Sequence, residues 1–187
     1  MYKRQVQVGC IFLDLSKAFD SVPHQVLLNK LCGLNLPTTI FNWLWDYLSN
    51  RHQQVVYDGV TSQALPVKSG VPQGSILGPL LFLLYINDLP SCLSPEDSSI
   101  VLYADDILLY RPIKTESDCK AFQQDINKIV NWISENHLTI NVEKTKCMTI
   151  SRLRSTIPLQ VEVNGHQIEE VITFKYLGVW ILSLIHI

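Results

Sequence analysis

Tyr103-Ala104-Asp105-Asp106 places two acids between two apolar runs, Ile100-Val101-Leu102 and Ile107-Leu108-Leu109-Tyr110. Each run is short, lacks a helical stripe and is bounded by polar residues. That is the pattern of two buried strands joined by a tight turn, a β-hairpin with carboxylates at its tip. Uncompensated charge near a core is expensive. A divalent cation, which prefers oxygen ligands, is the obvious partner, with an ordinary polar turn as the plain alternative. A third acid, Asp14, stands near the end of another apolar run, residues 8–15 (VGCIFLDL). That run reads as a buried strand delivering a carboxylate at its C-terminal end, or capping the turn that follows.

The elements around these acids must position them. After Asp14, Asp20 or Ser21 can cap a helix with Pro23 in its first turn, continued by Val26, Leu27, Lys30 and Leu31 and ended by Gly33. A second helix follows Pro37, with Ile40, Trp43, Leu44, Tyr47 and Leu48 on one face that is expected to be core. Residues 53–68 change to a strand pattern with a hairpin turn at Asp58-Gly59. Ser75 can cap a helix over residues 76–87 that tolerates Pro79 in its first turn and stops before Pro90. It is apolar on nearly every side and is expected to be buried. Thr115-Glu116-Ser117-Asp118 resembles a capping box, and Phe122, Ile126, Ile129, Val130 and Ile133 then form a helical stripe. Strands follow at residues 144–151 and 174–180. Between them, residues 161–168 read as a hairpin turning at Asn164-Gly165.

With the middle insertion set aside, the order is strand, helix, strand, strand, helix, strand. This is the split β-α-β pattern of a ferredoxin-like antiparallel sheet with helices on one face, an α+β fold. In that topology the first strand lies beside the central hairpin, so Asp14 can meet Asp105 and Asp106 at one edge. Three gathered carboxylates repel one another and raise their pKa values. Two Mg²⁺ ions would relieve the repulsion and could run an in-line phosphoryl displacement.

The chain has 187 residues, 47% of them hydrophobic and 17% charged, which suits one globular domain rather than a disordered segment. The formal net charge of −2 is unusual for a nucleic-acid binder, so either a basic surface is missing or such binding is not its task. The five cysteines are scattered without a C-x-x-C pair, which argues against a zinc site or disulfide framework and for reduced, intracellular thiols. The longest apolar run, residues 76–86, is too short for a bilayer span of ~20 residues, and no membrane role is expected.

Both ends look foreign. Tyr2-Lys3-Arg4-Gln5 can be encoded TAT AAG AGA CAG, and Leu182-Ser183-Leu184-Ile185 can be encoded by its reverse complement, CTG TCT CTT ATA. This is similar to the inverted transposon end used in preparing sequencing libraries. Residues 1–5 and 182–187 are therefore expected to be adaptor translation, and residues 6–181 a partial domain. Without Lys3 and Arg4 the net charge falls from −2 to −4.

Five ordered motifs now stand together: FLDLSKAFDSVPH, SGVPQGSILGPLLFLLYINDLP, YADD, LTINVEKTKCM and FKYLGV. In type and order they resemble the palm of a reverse transcriptase of non-LTR (jockey-like) retrotransposons, over nearly all of residues 8–181. The resemblance implies an RNA-directed DNA polymerase working on an RNA template, a DNA primer and deoxynucleoside triphosphates, with two Mg²⁺ (or Mn²⁺). It makes Asp14, Asp105 and Asp106 the catalytic metal-binding acids, with the Leu15 carbonyl as a backbone ligand. Phe19 matches an aromatic gate against a 2′-OH, though a core phenylalanine opening a helix is the plain reading. Gln73 and Gly74 match a loop lying against the incoming nucleotide and template. Lys144 matches a lysine that protonates leaving pyrophosphate. Phe174, Tyr176, Leu177 and Gly178 match a primer-grip strand, and an edge strand packing its aromatics fits them nearly as well. Asp20 and Asp88 are assigned to capping and local hydrogen bonds. Fingers and thumb are expected to be largely missing, and the fragment itself can be inactive for that reason. Action in the nucleus is the implied location of the parent. Two rivals stay open: an RNA-dependent RNA polymerase palm, opposed by Ala104 and by the bulk of Phe19, and an inert relic that folds or binds nucleic acid without chemistry.

Overall fold

The computed structural model describes residues 6–153 and 155–183. In chain order the elements are β1 (Gln7–Leu13), α1 (Ala18–Ser21), α2 (His24–Cys32), α3 (Thr38–Leu48), β2 (His52–Gln53), β3 (Val56–Tyr57), β4 (Val60–Thr61), β5 (Leu65–Pro66) and α4 (Leu77–Ile86). A 3₁₀ turn, Leu89–Cys92, leads to β6 (Ser99–Tyr103), β7 (Asp106–Ile113), α5 (Glu116–Glu135), β8 (Lys146–Ile150), β9 (Glu162–Val163), β10 (His166–Gln167), β11 (Thr173–Tyr176) and β12 (Val179–Leu182). The described residues form two compact units, one of residues 17–87 and one of the segments on either side of it.

The second unit is built on an antiparallel sheet in the order β6-β7-β1-β8. That is the strand order of the expected α+β, ferredoxin-like sheet, with the first strand beside the central hairpin. Side chains alternate across a strand, so β1 has two roles. Ile11 and Leu13, with Ile107 and Leu109 opposite them, are buried on one face. Helix α5 packs against β7 with Phe122, Ile126, Ile129 and Ile133 buried, each such side chain contributing about 1.5–3 kcal/mol. On the other face Cys10, Phe12 and Met148 form a cluster covered by Phe174, Tyr176 and Ile181 of the β11–β12 hairpin. The hairpin corrects the expectation of one final strand over residues 174–180. Leu177-Gly178 is a turn, and the chain folds back so that Thr173 pairs with Leu182. Ser183 continues the contact, its N–H donating to the Ile172 carbonyl at 2.9 Å. Of the residues expected to be adaptor translation, 1–5 and 184–187 lie outside the described residues, while Leu182 and Ser183 are the two just placed.

Two further sequence expectations change in this unit. β6 has one sheet neighbour and is not buried: Val101 is 44% and Tyr103 63% exposed. Lys144 lies in the turn before β8 and not within a strand. The capping box at Thr115 and Asp118 forms as expected, with each side chain bonded to the other's backbone N–H. A buried carboxylate was missed. Asp125 accepts hydrogen bonds from Ser98 N–H (2.9 Å), Ser98 Oγ (2.6 Å) and Arg111 Nη1 (2.8 Å), tying the start of β6, β7 and α5 together.

In the unit of residues 17–87, α1 is a single turn and α2 starts after Pro23 without a side-chain cap. Ser21 Oγ donates to the Lys17 carbonyl at 2.9 Å, so the expected capping by Asp20 or Ser21 does not occur. On α3 only Leu44 and Leu48 are buried; Ile40 and Trp43 are 47% and 55% exposed, against the expectation of core, and Trp45 is exposed as well. The tryptophan rings instead pair along the helix at i,i+4 spacing, Trp43 with Tyr47 and Phe41 with Trp45. Helix α4 is also only half covered: Leu81, Phe82, Tyr85 and Ile86 are buried, whereas Ile76, Leu80 and Leu83 face out. Its start is as expected in one respect, since Ser75 Oγ accepts from Gly78 N–H at 2.9 Å. Gly78 has to be glycine, because a Cβ there would stand 2.4 Å from the Pro72 carbonyl oxygen.

Candidate active site

The register of β1 decides which acids meet. Its pairing with β7 ends at Leu13↔Ile107, and β6 pairs with β7 as far as Tyr103↔Asp106. One residue beyond Leu13 is Asp14, across from Asp106. Alternation puts Asp14 on the face of Phe12 and Cys10, and Asp106 on the face of Leu108 and Tyr110, which are their partners in the ladder. The two carboxylates therefore share the face that the β11–β12 hairpin covers. They line a small cavity of about 40 Å³ together with Phe12, Lys144, Phe174 and Tyr176. Asp105 occupies the second loop position and is half-buried.

Like charges directly opposite one another on a sheet repel. The carboxyl of Asp106 is held above its usual range, first by burial and then by the charges of Asp105 and Asp14. The Tyr176 phenol is pushed up as well, by burial and by the charge of Asp106. The Tyr176 ring lies 5.4 Å from that of Phe12, and Phe174 stacks on Phe12 at 4.3 Å. The residues expected to form a primer grip thus supply two rings to the wall of the carboxylate cavity, while Leu177 and Gly178 form the exposed hairpin tip.

The backbone of Asp14 is clamped by a turn that sequence reasoning passed over. Asp14 N–H donates to Thr145 Oγ1 at 3.3 Å, and its carbonyl accepts from Asn141 N–H at 2.8 Å. Thr145 is fully buried and donates through Oγ1 to the Asn141 carbonyl at 2.8 Å. Ser16 N–H donates to the Thr139 carbonyl at 2.8 Å, and Leu15 bridges to Ile140. Lys144, exposed, sits one residue before Thr145 on this turn and so borders the cavity. The signal was present in Asn141 and Thr145, polar residues able to bond nearby backbone between a helix and a strand.

Phe19, Gln73 and Gly74 belong to the other unit. Phe19 is half-buried and stacks on Phe82 at 4.5 Å. Val71 N–H donates to the Phe19 carbonyl at 2.7 Å and Gly70 N–H to the Val22 carbonyl at 2.8 Å, so the two segments run together. Gly70, at φ 91°, lets this approach happen, since a Cβ would stand 3.0 Å from the Asp20 carbonyl oxygen. Gln73 Nε2 donates to Asp20 Oδ1 at 2.9 Å. Asp20 and Gln73 line a cavity of about 760 Å³ with Arg51, His52 and Lys68.

The donors at the small cavity fit a divalent cation in kind: they are hard carboxylate oxygens set close enough to disturb each other, and a cation would relieve that. A hydroxyl without a hydrogen-bond partner, Tyr176 Oη, is buried beside them. Among the described residues no three His, Cys, Asp or Glu side chains are gathered into a metal-binding group. Asp14 and Asp106 face the cavity as a pair, with Asp105 standing outside its lining.

Comparison with known proteins gives consistent results. The chain is 32% identical over 185 residues to the RNA-directed DNA polymerase from the mobile element jockey of Drosophila melanogaster, covering 96% of this chain and 20% of that protein. It is 23% identical to a retrovirus-related Pol polyprotein from a type-1 R2 retrotransposable element of Popillia japonica, covering 90% of this chain and 30% of that protein. The chain spans about one fifth of the length of its jockey relative. In fold it is similar to telomerase from Candida tropicalis, with a TM-score of 0.64 at 14% identity over 94% of this chain and 31% of that one. A profile described as reverse transcriptase (RNA-dependent DNA polymerase) matches residues 2–181. With that match spanning nearly its whole length, the chain belongs to the reverse transcriptase family.

Proposed function

We propose that residues 6–181 are the palm portion of an RNA-directed DNA polymerase that adds deoxynucleotides to a primer 3′-OH during retrotransposition. The observation that carries this reading is the facing pair Asp14 and Asp106, on one sheet face and around one cavity. Asp14 and Asp106, with Asp105 and the Leu15 carbonyl, would hold two Mg²⁺ (or Mn²⁺). Bound there, such ions would supply Lewis-acid activation of the 3′-OH and charge neutralisation on the leaving pyrophosphate.

The chain's own groups divide the remaining work. Lys144, cationic and exposed at the cavity rim, donates a proton to pyrophosphate. Thr145 and Asn141 hold the Asp14 backbone in register. Phe174 and Tyr176 back the carboxylates, and Leu177-Gly178 presents the hairpin tip to the primer. Phe19 excludes a 2′-OH, and Gln73 and Gly74 lie against the nucleotide and template. The partners are an RNA template, a DNA primer and deoxynucleoside triphosphates, inside the cell and in the nucleus.

Primer extension on an RNA template by the full-length parent tests this reading. Asp14→Ala and Asp105→Ala abolish nucleotide addition, and deoxynucleotides are used in preference to ribonucleotides. Synthesis near the wild-type rate in either variant would remove these acids from catalysis, and preference for ribonucleotides would make the chain an RNA polymerase palm. Titration of the purified chain with Mg²⁺ separates an active site from an inert relic: no binding at millimolar metal favours the relic.

A further inference from the structure

Tyr176 Oη is one of two buried side-chain oxygens among the described residues without a hydrogen-bond partner, the other being Thr149 Oγ1. An orphaned hydroxyl costs about 1–3 kcal/mol, so its surroundings should supply what it lacks. They are unusual. The ring of Tyr176 is held by Phe12, so the hydroxyl cannot swing out to solvent without breaking that contact. The cavity it borders has a volume of about 40 Å³, room for roughly three water molecules at the 10–15 Å³ that one water needs. Its polar lining is Asp14, Asp106 and Lys144. The lysine has only donors to offer a hydroxyl, whereas the carboxylates accept. Asp14 and Asp106 both border the cavity with Tyr176, and after burial the charge of Asp106 pushes the phenol up.

We propose that Tyr176 is a positioning residue: its hydroxyl donates to a water molecule held in this cavity, and that water donates to the carboxylate of Asp106. The bridge ties the β11–β12 hairpin to the acid at the end of β7 and fixes which way that carboxylate points. The hairpin then acts on the reaction through Asp106 as well as through any contact with a primer. The positioning role rests on the polymerase reading above; the hydrogen bond does not.

The test uses the whole 187-residue chain and needs no catalysis. Tyr176→Phe keeps the ring and its contact with Phe12 and removes only the oxygen. A bridged hydroxyl makes Tyr176→Phe less stable, lowering the folding constant in urea by about fivefold. A true orphan gives the opposite sign, because deleting it is neutral or stabilising, and that result overturns the proposal. In an Asp106→Leu background the same change has no effect if the water links the two residues. An undiminished fivefold loss there assigns the hydrogen bond elsewhere and also overturns the proposal.

A crystal structure of the chain covers the case in which Asp106→Leu does not fold. It should show an ordered water within hydrogen-bond reach of both Tyr176 Oη and the Asp106 carboxylate. A cavity without such a water overturns the proposal. A parent that synthesises DNA while the chain fails these tests would overturn the bridge alone and leave the polymerase reading intact.

Discussion

Among the described residues four hairpins turn in two residues, and they fall into two kinds. β3–β4 turns at Asp58-Gly59 and β9–β10 at Asn164-Gly165. Both residues of each loop have positive φ, which Asn, Asp and Gly adopt readily. β6–β7 turns at Ala104-Asp105 and β11–β12 at Leu177-Gly178. Here Ala104 (φ 52°) and Leu177 (φ 48°) occupy a region that costs an ordinary L-residue about 1–2 kcal/mol. The two strained turns adjoin residues of the carboxylate cavity, whereas neither relaxed turn contributes to its lining. Asp106 follows directly after Ala104-Asp105, and Tyr176 directly precedes Leu177. Strain of this kind persists only where surrounding structure over-determines it, and such places cluster at functional sites. The tight loop keeps Asp106 in the ladder as a paired residue, and so keeps it opposite Asp14.

The largest difference should appear in catalysis. In the full-length parent, Asp106→Ala lowers nucleotide addition by about a thousandfold, the scale of several kcal/mol of charge stabilisation. Asp58→Ala, at the tip of a relaxed hairpin, leaves the rate within about twofold. Equal losses from both would erase the distinction between the hairpins. A smaller effect sharpens the account of what holds the strained site. Thr145→Val removes the acceptor for Asp14 N–H and the donor to Asn141. It should lower the stability of the chain by about 2 kcal/mol in urea denaturation. A change under about 0.5 kcal/mol would mean that the turn merely lies beside Asp14.

Exchanging the turn chemistry tests the strain itself. Leu177→Asn puts a residue that tolerates positive φ where leucine does not, and should raise stability by about 1 kcal/mol. Asn164→Leu makes the reverse change and should lower it by a similar amount. The two shifts, read as urea midpoints, are expected to have opposite signs. If Leu177→Asn destabilises, the exposed leucine at the tip is held by packing rather than tolerated at a cost.

The same contrast explains what could be read from the sequence. The Asp-Gly and Asn-Gly turns announced their hairpins, because their residue types are the ones the backbone needs. The Leu177-Gly178 turn did not, because leucine argues for a continuing strand; strand and turn look alike where a site imposes the geometry. The Asp14–Asp106 meeting was legible in outline from topology, whereas the choice of Asp106 over Asp105 as the residue facing Asp14 depends on register and was not. The Asn141–Thr145 clamp was missed because nothing apolar marks it. The exposure of Trp43, Leu80 and Leu83 was missed because periodicity reports that a face is apolar and cannot say what, if anything, covers it.

The smallest effect is electrostatic and its sign follows from Asp106. Burial, Asp105 and Asp14 hold its carboxyl above the ordinary carboxylate range in the folded chain. The folded state therefore keeps its proton to higher pH than the unfolded state does. The associated stability is fully present below about pH 4 and is lost as pH rises through the raised value. Asp97 and Asp118 behave oppositely. A hydrogen bond from Lys128 lowers the first, and backbone N–H groups of Lys114 and Thr115 lower the second, so their stabilisation is lost on acidification. Those two act equally in the wild type and in an Asp106 variant, and they cancel in the difference. Asp106→Asn cannot ionise and keeps a similar shape. Relative to the wild type it should gain about 0.5 kcal/mol at pH 7, the scale of a like-charge pair across a sheet, and nothing at pH 3. Paired urea titrations at the two pH values measure the gap. A gain that persists at pH 3 would trace to packing, and no gain at pH 7 would mean that Asp14 and Asp105 do not burden Asp106. In that case the site end of β7 would carry backbone strain without the electrostatic cost that makes a cation welcome there.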